Sequence, residues 1–295
     1  MKIAVAMLCH KNVKQINSLI QAMESEDISF FIHVDKKSII NRDEISGKNI
    51  TVIPKDCSVD IQWGGFGMIE ATLQLIEAIR QSKQVYDYIW LMSGQDWPLR
   101  SAENIVKYVE RHNGDDFIEI LSDQEARDRG YCKRNALYYP SWMVSNKIYI
   151  KIVKHMFWFA TGGRKATYIG KRKTRVEKFF YGSQWWLLSK QSMDIMMRFL
   201  MDNAWYTDYF RHSLVPDESF FQTLYGLLIG VGKENPAVCY VNWKQNRNSP
   251  EIFTHNDLDR LFDSRKAFLI ARKFDFDVDE NIISEIKEAD RQVTT

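Results

Sequence analysis

Cysteine is scarce in this chain of 295 residues, and none of it is arranged for chemistry. Cys9, Cys57, Cys132 and Cys239 form no C-x-x-C pair, which speaks against a zinc or dithiol site, and four are too few for a disulfide scaffold. Cys9 and Cys239 sit in apolar runs and read as buried free thiols, suited to a reducing compartment. The six His residues are scattered without ligand spacing. A dinucleotide-type G-x-G-x-x-G, a Walker loop and a nucleophile elbow are all missing. An excess of one charge is lacking too. The 40 basic residues face 38 acidic ones for a net +2, where a dominant nucleic-acid role calls for a strong basic excess. No stretch approaches the roughly 18 apolar residues of a membrane span. The run from Met1 to His10 is too short, and lacks a cleavage site, to be a signal peptide. The expectation is a cytoplasmic protein, either free or held peripherally at the inner membrane.

What is present is apolar content of 45%, enough for one sizeable core. The first hundred residues alternate strand and helix patterns. Ile3 to Leu8, Ile28 to Val34, Ile50 to Ile53 and Tyr86 to Met92 read as strands. Val13 to Met23 and Met68 to Ile79 carry apolar residues at helical spacing. Ser101 caps a helix through Ile105 to Val109, and Phe117 to Leu121 is a further strand. This order predicts an α/β fold with a mostly parallel central sheet flanked by helices. Ligands of such sheets sit beyond the carboxyl ends of the strands, where Asp35 and Ser93-Gly94-Gln95-Asp96 fall. Around 138–180 the pattern changes to an aromatic-rich, basic insertion. It reads as a solvated loop, or as a contact for anionic lipid or a phosphate-bearing acceptor. Beyond it come a strand at Gln184 to Leu188, a helix at Met193 to Leu200, a helix from Glu218 to Leu228, and a last strand at Cys239 to Trp243 before a C-terminal tail. No repeat or linker divides the chain, so residues 1–295 read as a single domain.

Metal-dependent nucleotide-sugar enzymes carry a D-x-D after a central strand. Here that place holds Asp96 with no second carboxylate at the needed spacing. Asp275-Phe276-Asp277-Val278-Asp279 alternates acids, but reads as a capping segment before a metal site. Without a metal, Lys and Arg must neutralise a leaving diphosphate directly. Arg247, Arg265, Lys266, Arg272 and Lys273 supply such charge. Pro216-Asp217-Glu218 places two acids ahead of an apolar helix. A carboxylate there is stabilised by the helix terminus and could take a proton from an attacking hydroxyl. Local sequence alone favours the capping role.

Taken in order, several segments resemble the core-2/I-branching β-1,6-N-acetylglucosaminyltransferase family, which includes the peptide-O-xylosyltransferases. They are Phe31-Ile32-His33-Val34-Asp35-Lys36-Lys37-Ser38, Trp63-Gly64-Gly65, Tyr88 through Leu99, Gly182-Ser183-Gln184-Trp185-Trp186, Pro216-Asp217-Glu218-Ser219, Trp243-Lys244, Ser249-Pro250, Phe253-Thr254 and Ala271-Arg272-Lys273-Phe274-Asp275. The resemblance implies a GT-A type glycosyltransferase fold, a UDP-sugar donor, inversion at the anomeric carbon and no obligatory metal. It implies Glu218 as the catalytic base and Lys273 as a diphosphate contact, helped by Arg272 or Arg247. Asp35 and Asp96 fall in the donor pocket, and Trp243, with Trp63 and Asp217, beside the substrates. Animal members carry a membrane anchor and many disulfides, which this sequence lacks, so it looks like a bacterial version acting on a glycan or lipid-linked glycan. Their second diphosphate Arg falls at or beside Asn248. The stretch from Leu121 to Phe179 matches poorly, which leaves the acceptor open. UDP-GlcNAc is the expected donor. The alternatives are a xylosyl- or other hexosyltransferase of the same fold, a non-catalytic carbohydrate- or nucleotide-binding protein, and a membrane adaptor acting through Tyr138 to Lys178.

Overall fold

The computed structural model describes residues 1–140, 152, 155–156, 170–232, 236–243 and 249–293, with 288–293 described by backbone alone. Seven consecutive buried residues make β1 (Ile3–Cys9), and seven more make β2 (Ile28–Val34). Strands apolar on both faces belong inside a parallel sheet. Here β3 (Ile50–Val52), β2, β1 and β4 (Tyr88–Ser93) run parallel in that order. The sheet continues through β7 (Trp186–Ser189), antiparallel to β4, and ends at β6 (Phe117–Ile118), antiparallel to β7. The expected α/β architecture with a mostly parallel sheet is present.

Helix α1 (Val13–Ala22) starts where the Asn12 side chain accepts from Gln15 N, and α3 (Ala102–Arg111) starts at the expected Ser101 cap. Helix α2 (Gly67–Gln81) packs on β1 and β2. Two short helices, α4 (Asp123–Asp128) and α5 (Cys132–Ala136), follow β6. Helix α6 (Lys190–Asp202) packs on β4 and β7, and α7 (Ala204–Phe210) packs against α6. Three of the nine Trp residues, Trp90, Trp97 and Trp186, are wholly enclosed in the core. All four cysteines are free, with Cys9 and Cys239 buried as expected.

The C-terminal quarter differs from expectation. A second sheet has the order β5 (Asp96–Pro98), β9 (Ile270–Arg272), β8 (Cys239–Val241), with β9 antiparallel to β5 and parallel to β8. The strand at Cys239 is therefore neither last nor as long as its apolar run. What read as a tail holds α9 (Leu258–Ser264), β9 and α10 (Asn281–Val293). Three-residue strands are too short to show a period, which is why β9 escaped notice. The acids at 275–279 act as ties. Asp275 and Asp277 pair with Lys11 at 2.6 and 3.0 Å, and Asp279 accepts from Asn281 N and Ile282 N at the head of α10.

Most of the basic insertion falls on residues outside those described. Its two roots pair with each other. Tyr138 N donates to Gly170 O and Arg172 N to Ala136 O, both at 2.9 Å. Arg172, read from sequence as part of a solvated or lipid-facing run, turns inward. It lies 3.6 Å over the Tyr209 ring and donates to Ser213 Oγ at 3.2 Å. Among the described residues no helix is long and apolar enough to cross a membrane.

One backbone crossing leaves no room for a side chain. A Cβ at Gly182 would sit 1.8 Å from the Glu119 carbonyl oxygen. Gly182→Ala should lose about 2–3 kcal/mol or more of stability, the cost of forcing packed backbone apart. Urea unfolding of the two proteins measures it, and an unchanged midpoint would contradict this packing.

Candidate active site

The carboxyl ends of β1, β2 and β4 line up on one edge of the central sheet and carry His10, Asp35 and the Ser93–Asp96 turn. Asp35 is buried. Its Oδ1 accepts from Lys37 N at 3.2 Å and from Ile61 N at 3.4 Å, and Lys37 Nζ lies 3.5 Å from Oδ2. His33 adds a second tie, its Nε2 accepting from Val59 N at 2.9 Å. Burial pulls this imidazole down to about 4, so it stays neutral and keeps that acceptor. The two ties fix the segment that leads to Trp63.

Asp96 has no exposed surface. One carboxylate oxygen takes Ser93 N at 2.7 Å and the other takes Arg272 Nη1 at 2.6 Å. Burial pushes this carboxyl up and Arg272 opposes the shift. Arg272 also lies 4.4 Å over the Trp185 ring. Lys273 follows at the end of β9, half-buried. Among the described residues its ammonium has no hydrogen bond or ion pair. Burial lowers its pKa first, then the neighbouring Arg272, with Asp275 opposing the shift and Lys11 adding to it. Burial and the same cations lower His10. Positive charge is thus gathered at this edge with one ammonium unspent, a suitable partner for an anion.

Glu218 stands at the other side. Pro216–Glu218 forms a 3-10 turn, and the helix α8 (Phe220–Leu228) begins only after Ser219. Glu218 therefore precedes the helix instead of opening it, and the capping role read from local sequence does not apply. Its Oε2 is ion-paired with Arg134 Nη1, both side chains about one-fifth exposed. Among the described residues Oε1 has no hydrogen-bond partner. Arg134 in turn lies 3.5 Å over the Tyr131 ring. Val215 just before the turn has φ 48° and ψ 55°, a left-handed conformation that β-branched residues avoid. It is held there by Val215 N donating to Gly64 O at 2.9 Å and Leu214 N to Arg134 O at 3.0 Å. Gly64, at φ 73°, supplies the backbone freedom for this approach.

The segment Gly182 to Trp185 runs between the two sides. Gly182 N donates to Glu218 O at 3.0 Å, Ser183 N to Glu119 Oε2 at 3.0 Å, and Gln222 Nε2 to Ser183 O at 2.5 Å. Trp185 then lies under Arg272. The chain from Gly182 to Trp185 spans at most about 11 Å, and it connects the backbone of Glu218 to the ring beneath Arg272.

The structure thus brings Asp96, Arg272 and Lys273 into one group and links it to Glu218. Trp63 and Trp243 are both more than half exposed and free to meet a ligand, and Asp217 sits beside Glu218. Arg247 lies outside the described residues. Sequence reasoning missed Arg134 and Glu119. Arg134 meets Glu218 across 84 residues and Glu119 meets Ser183 across 64, and no spacing signals such contacts.

The site thus consists of a cationic cluster at the carboxyl edge of an α/β sheet and a carboxylate-bearing turn joined to it through Gly182–Trp185. The chain belongs to the Core-2/I-Branching enzyme family, whose model matches residues 3–262. It is 22% identical to a xylosyltransferase of Ciona intestinalis over 97% of this chain and 34% of that protein. It is 23% identical to Xylosyltransferase oxt of Drosophila melanogaster, over 97% of this chain and 33% of that one. The chain spans about a third of the length of these curated relatives. Among solved structures, an active-site mutant of LgtC overlays with a TM-score of 0.39 at 11% identity, over 92% of this chain and 87% of that one.

Asp217 offers a pH test. Burial, then the Glu218 charge, pushes it up to about 7. An unfolded Asp titrates near about 3.9. The stability its protonated form contributes is therefore complete below about pH 4 and is lost as pH rises through about 7. Asp217→Asn cannot ionise. In urea unfolding the wild type should lose stability relative to Asp217→Asn between pH 5 and pH 8, and parallel pH profiles would contradict the assignment.

Proposed function

We propose that this chain is a GT-A type, inverting and metal-independent glycosyltransferase that moves a sugar from a UDP donor to a glycan hydroxyl. The observation that carries the reading is the pairing of an unspent ammonium, Lys273, with a half-satisfied carboxylate, Glu218, on linked segments. The acceptor hydroxyl attacks the anomeric carbon while Glu218 Oε1 takes its proton. The bond to the diphosphate breaks, and its electron pair leaves with UDP. Lys273, with Arg272 behind it, stabilises the charge that develops there. A single displacement with no enzyme nucleophile inverts the anomeric centre. Arg134 holds the carboxylate in one orientation, which favours a near-attack geometry. The metal-free reading is supported by Asp96, whose two oxygens are already taken by Arg272 and Ser93 N. Asp35 is read as bordering the uridine, and Trp63 and Trp243 as platforms for sugar rings.

The donor is read as UDP-GlcNAc from the family's motif order. UDP-xylose is the second reading, favoured by the xylosyltransferase relatives. The acceptor is read as a glycan or lipid-linked glycan of a bacterial surface polymer, met from the cytoplasmic side and at the membrane surface.

Two experiments test this. Glu218→Gln should leave UDP affinity close to wild type and lower turnover at least about 100-fold, the loss expected for a general base. Near-normal turnover would remove Glu218 from that role. A UDP-release screen over UDP-GlcNAc, UDP-xylose, UDP-glucose and UDP-galactose, each with and without excess EDTA, should show one preferred donor and equal rates in both arms. Loss of activity in EDTA with recovery on added manganese would overturn the metal-free mechanism. Tight UDP binding with no turnover of any donor would favour a binding protein.

A further inference from the structure

Helix α1 buries a polar residue among its apolar ones. Gln15 is 1% exposed on the same face as Ile16, Leu19 and Ile20. A buried amide is costly unless its hydrogen bonds are made. Gln15 makes three, and none joins its own helix. Its Nε2 donates to Gly94 O at 3.0 Å and to Phe274 O at 3.1 Å, and its Oε1 accepts from Phe276 N at 3.0 Å. One side chain thus ties the turn after the central strand to the segment that follows Lys273. The backbone of that segment is held by Phe274 N donating to Gln95 O at 2.9 Å. Arg272, on the near side of Lys273, is held by Asp96. Lys273 therefore lies between an ion pair before it and the Gln15 amide after it, its own carbonyl accepting from Phe253 N at 2.8 Å and Phe274 O also taking Gln95 Nε2 at 3.4 Å. Its own ammonium is tied to neither.

We infer that Gln15 is a positioning residue that fixes the backbone on the far side of Lys273 and so aims this ammonium at the bound diphosphate. The inference rests on the reading of Lys273 as a diphosphate contact. A lysine tail carries many rotatable bonds, so the direction of its Cα–Cβ vector is what the fold can preset. An apolar residue at position 15 would take a partner away from Gly94 O, Phe274 O and Phe276 N. The amide is needed only because it must meet two carbonyls and one N–H of other segments.

The test is a double-mutant cycle on UDP binding, read by titration calorimetry with UDP as the probe. Gln15→Met keeps the length and removes all three hydrogen bonds. Gln15→Glu keeps the shape and the acceptor and loses both donors. Each should weaken UDP binding about tenfold, the scale of one or two such bonds. In a Lys273→Ala background the same substitutions should add almost nothing, because their effect passes through that ammonium. Equal losses in both backgrounds would overturn the inference, as would unchanged affinity in the single variants. Failure of both Gln15 variants to fold, seen as lost near-UV circular dichroism, would also overturn it, by making Gln15 a stability residue. A wild-type chain that does not bind UDP would instead defeat the reading of the whole site.

Discussion

The buried ion pair between Asp96 and Arg272 is the contact on which the rest of the site depends. A carboxylate with no exposed surface cannot stay charged alone, and removing one partner of such a pair typically costs about 3–5 kcal/mol. Asp96 meets its whole requirement with Arg272 and the Ser93 N–H. Because Asp96 opens β5 and Arg272 closes β9, the pair joins these two strands of the small sheet, and the Ser93 N–H on Asp96 ties that sheet to the end of the central strand. Arg272 is neutralised in doing so. The ammonium of the next residue, Lys273, has no such partner among the described residues.

The opposite side is built on strain instead of charge. A valine in the left-handed region costs of order 1–3 kcal/mol and persists only where neighbours over-determine it. At Val215 those neighbours are Gly64 and Arg134, each holding an adjacent backbone N–H. Arg134 thus acts twice, through its carbonyl on the strained loop and through its guanidinium on Glu218. Orienting the carboxylate and shaping the loop are therefore not independent, and both lean on the short helix α5.

The central sheet was legible because strands buried on both faces are continuous apolar runs, and the carboxyl-end rule then pointed to Asp35 and Asp96. Of the small sheet only β8 was legible, as the strand at Cys239, since β5 and β9 are three residues each and β5 contains a proline. Of the alternating acids of 275–279, Asp279 makes the local capping contact that the sequence could suggest, whereas Asp275 and Asp277 meet Lys11 from more than 260 residues away. Glu218 could not be read locally, since its partner Arg134 lies 84 residues away and the helix it was expected to cap starts after Ser219. Gln15 shows the same limit. In sequence it is one polar letter in an amphipathic helix, and only the fold places Gly94, Phe274 and Phe276 around it. The ordered motifs named the family where no single segment did, and the poorly matching stretch after Leu121 contains Arg134 itself.

The paired roots at Leu137 and Lys171 have a consequence for how such a protein can diversify. With both ends of the intervening segment already clamped, lengthening it adds only the slow, logarithmic cost of closing a longer loop, about 0.6 kcal/mol per doubling. Whatever the length between the roots, the point of attachment stays next to α5 and the carboxylate it holds.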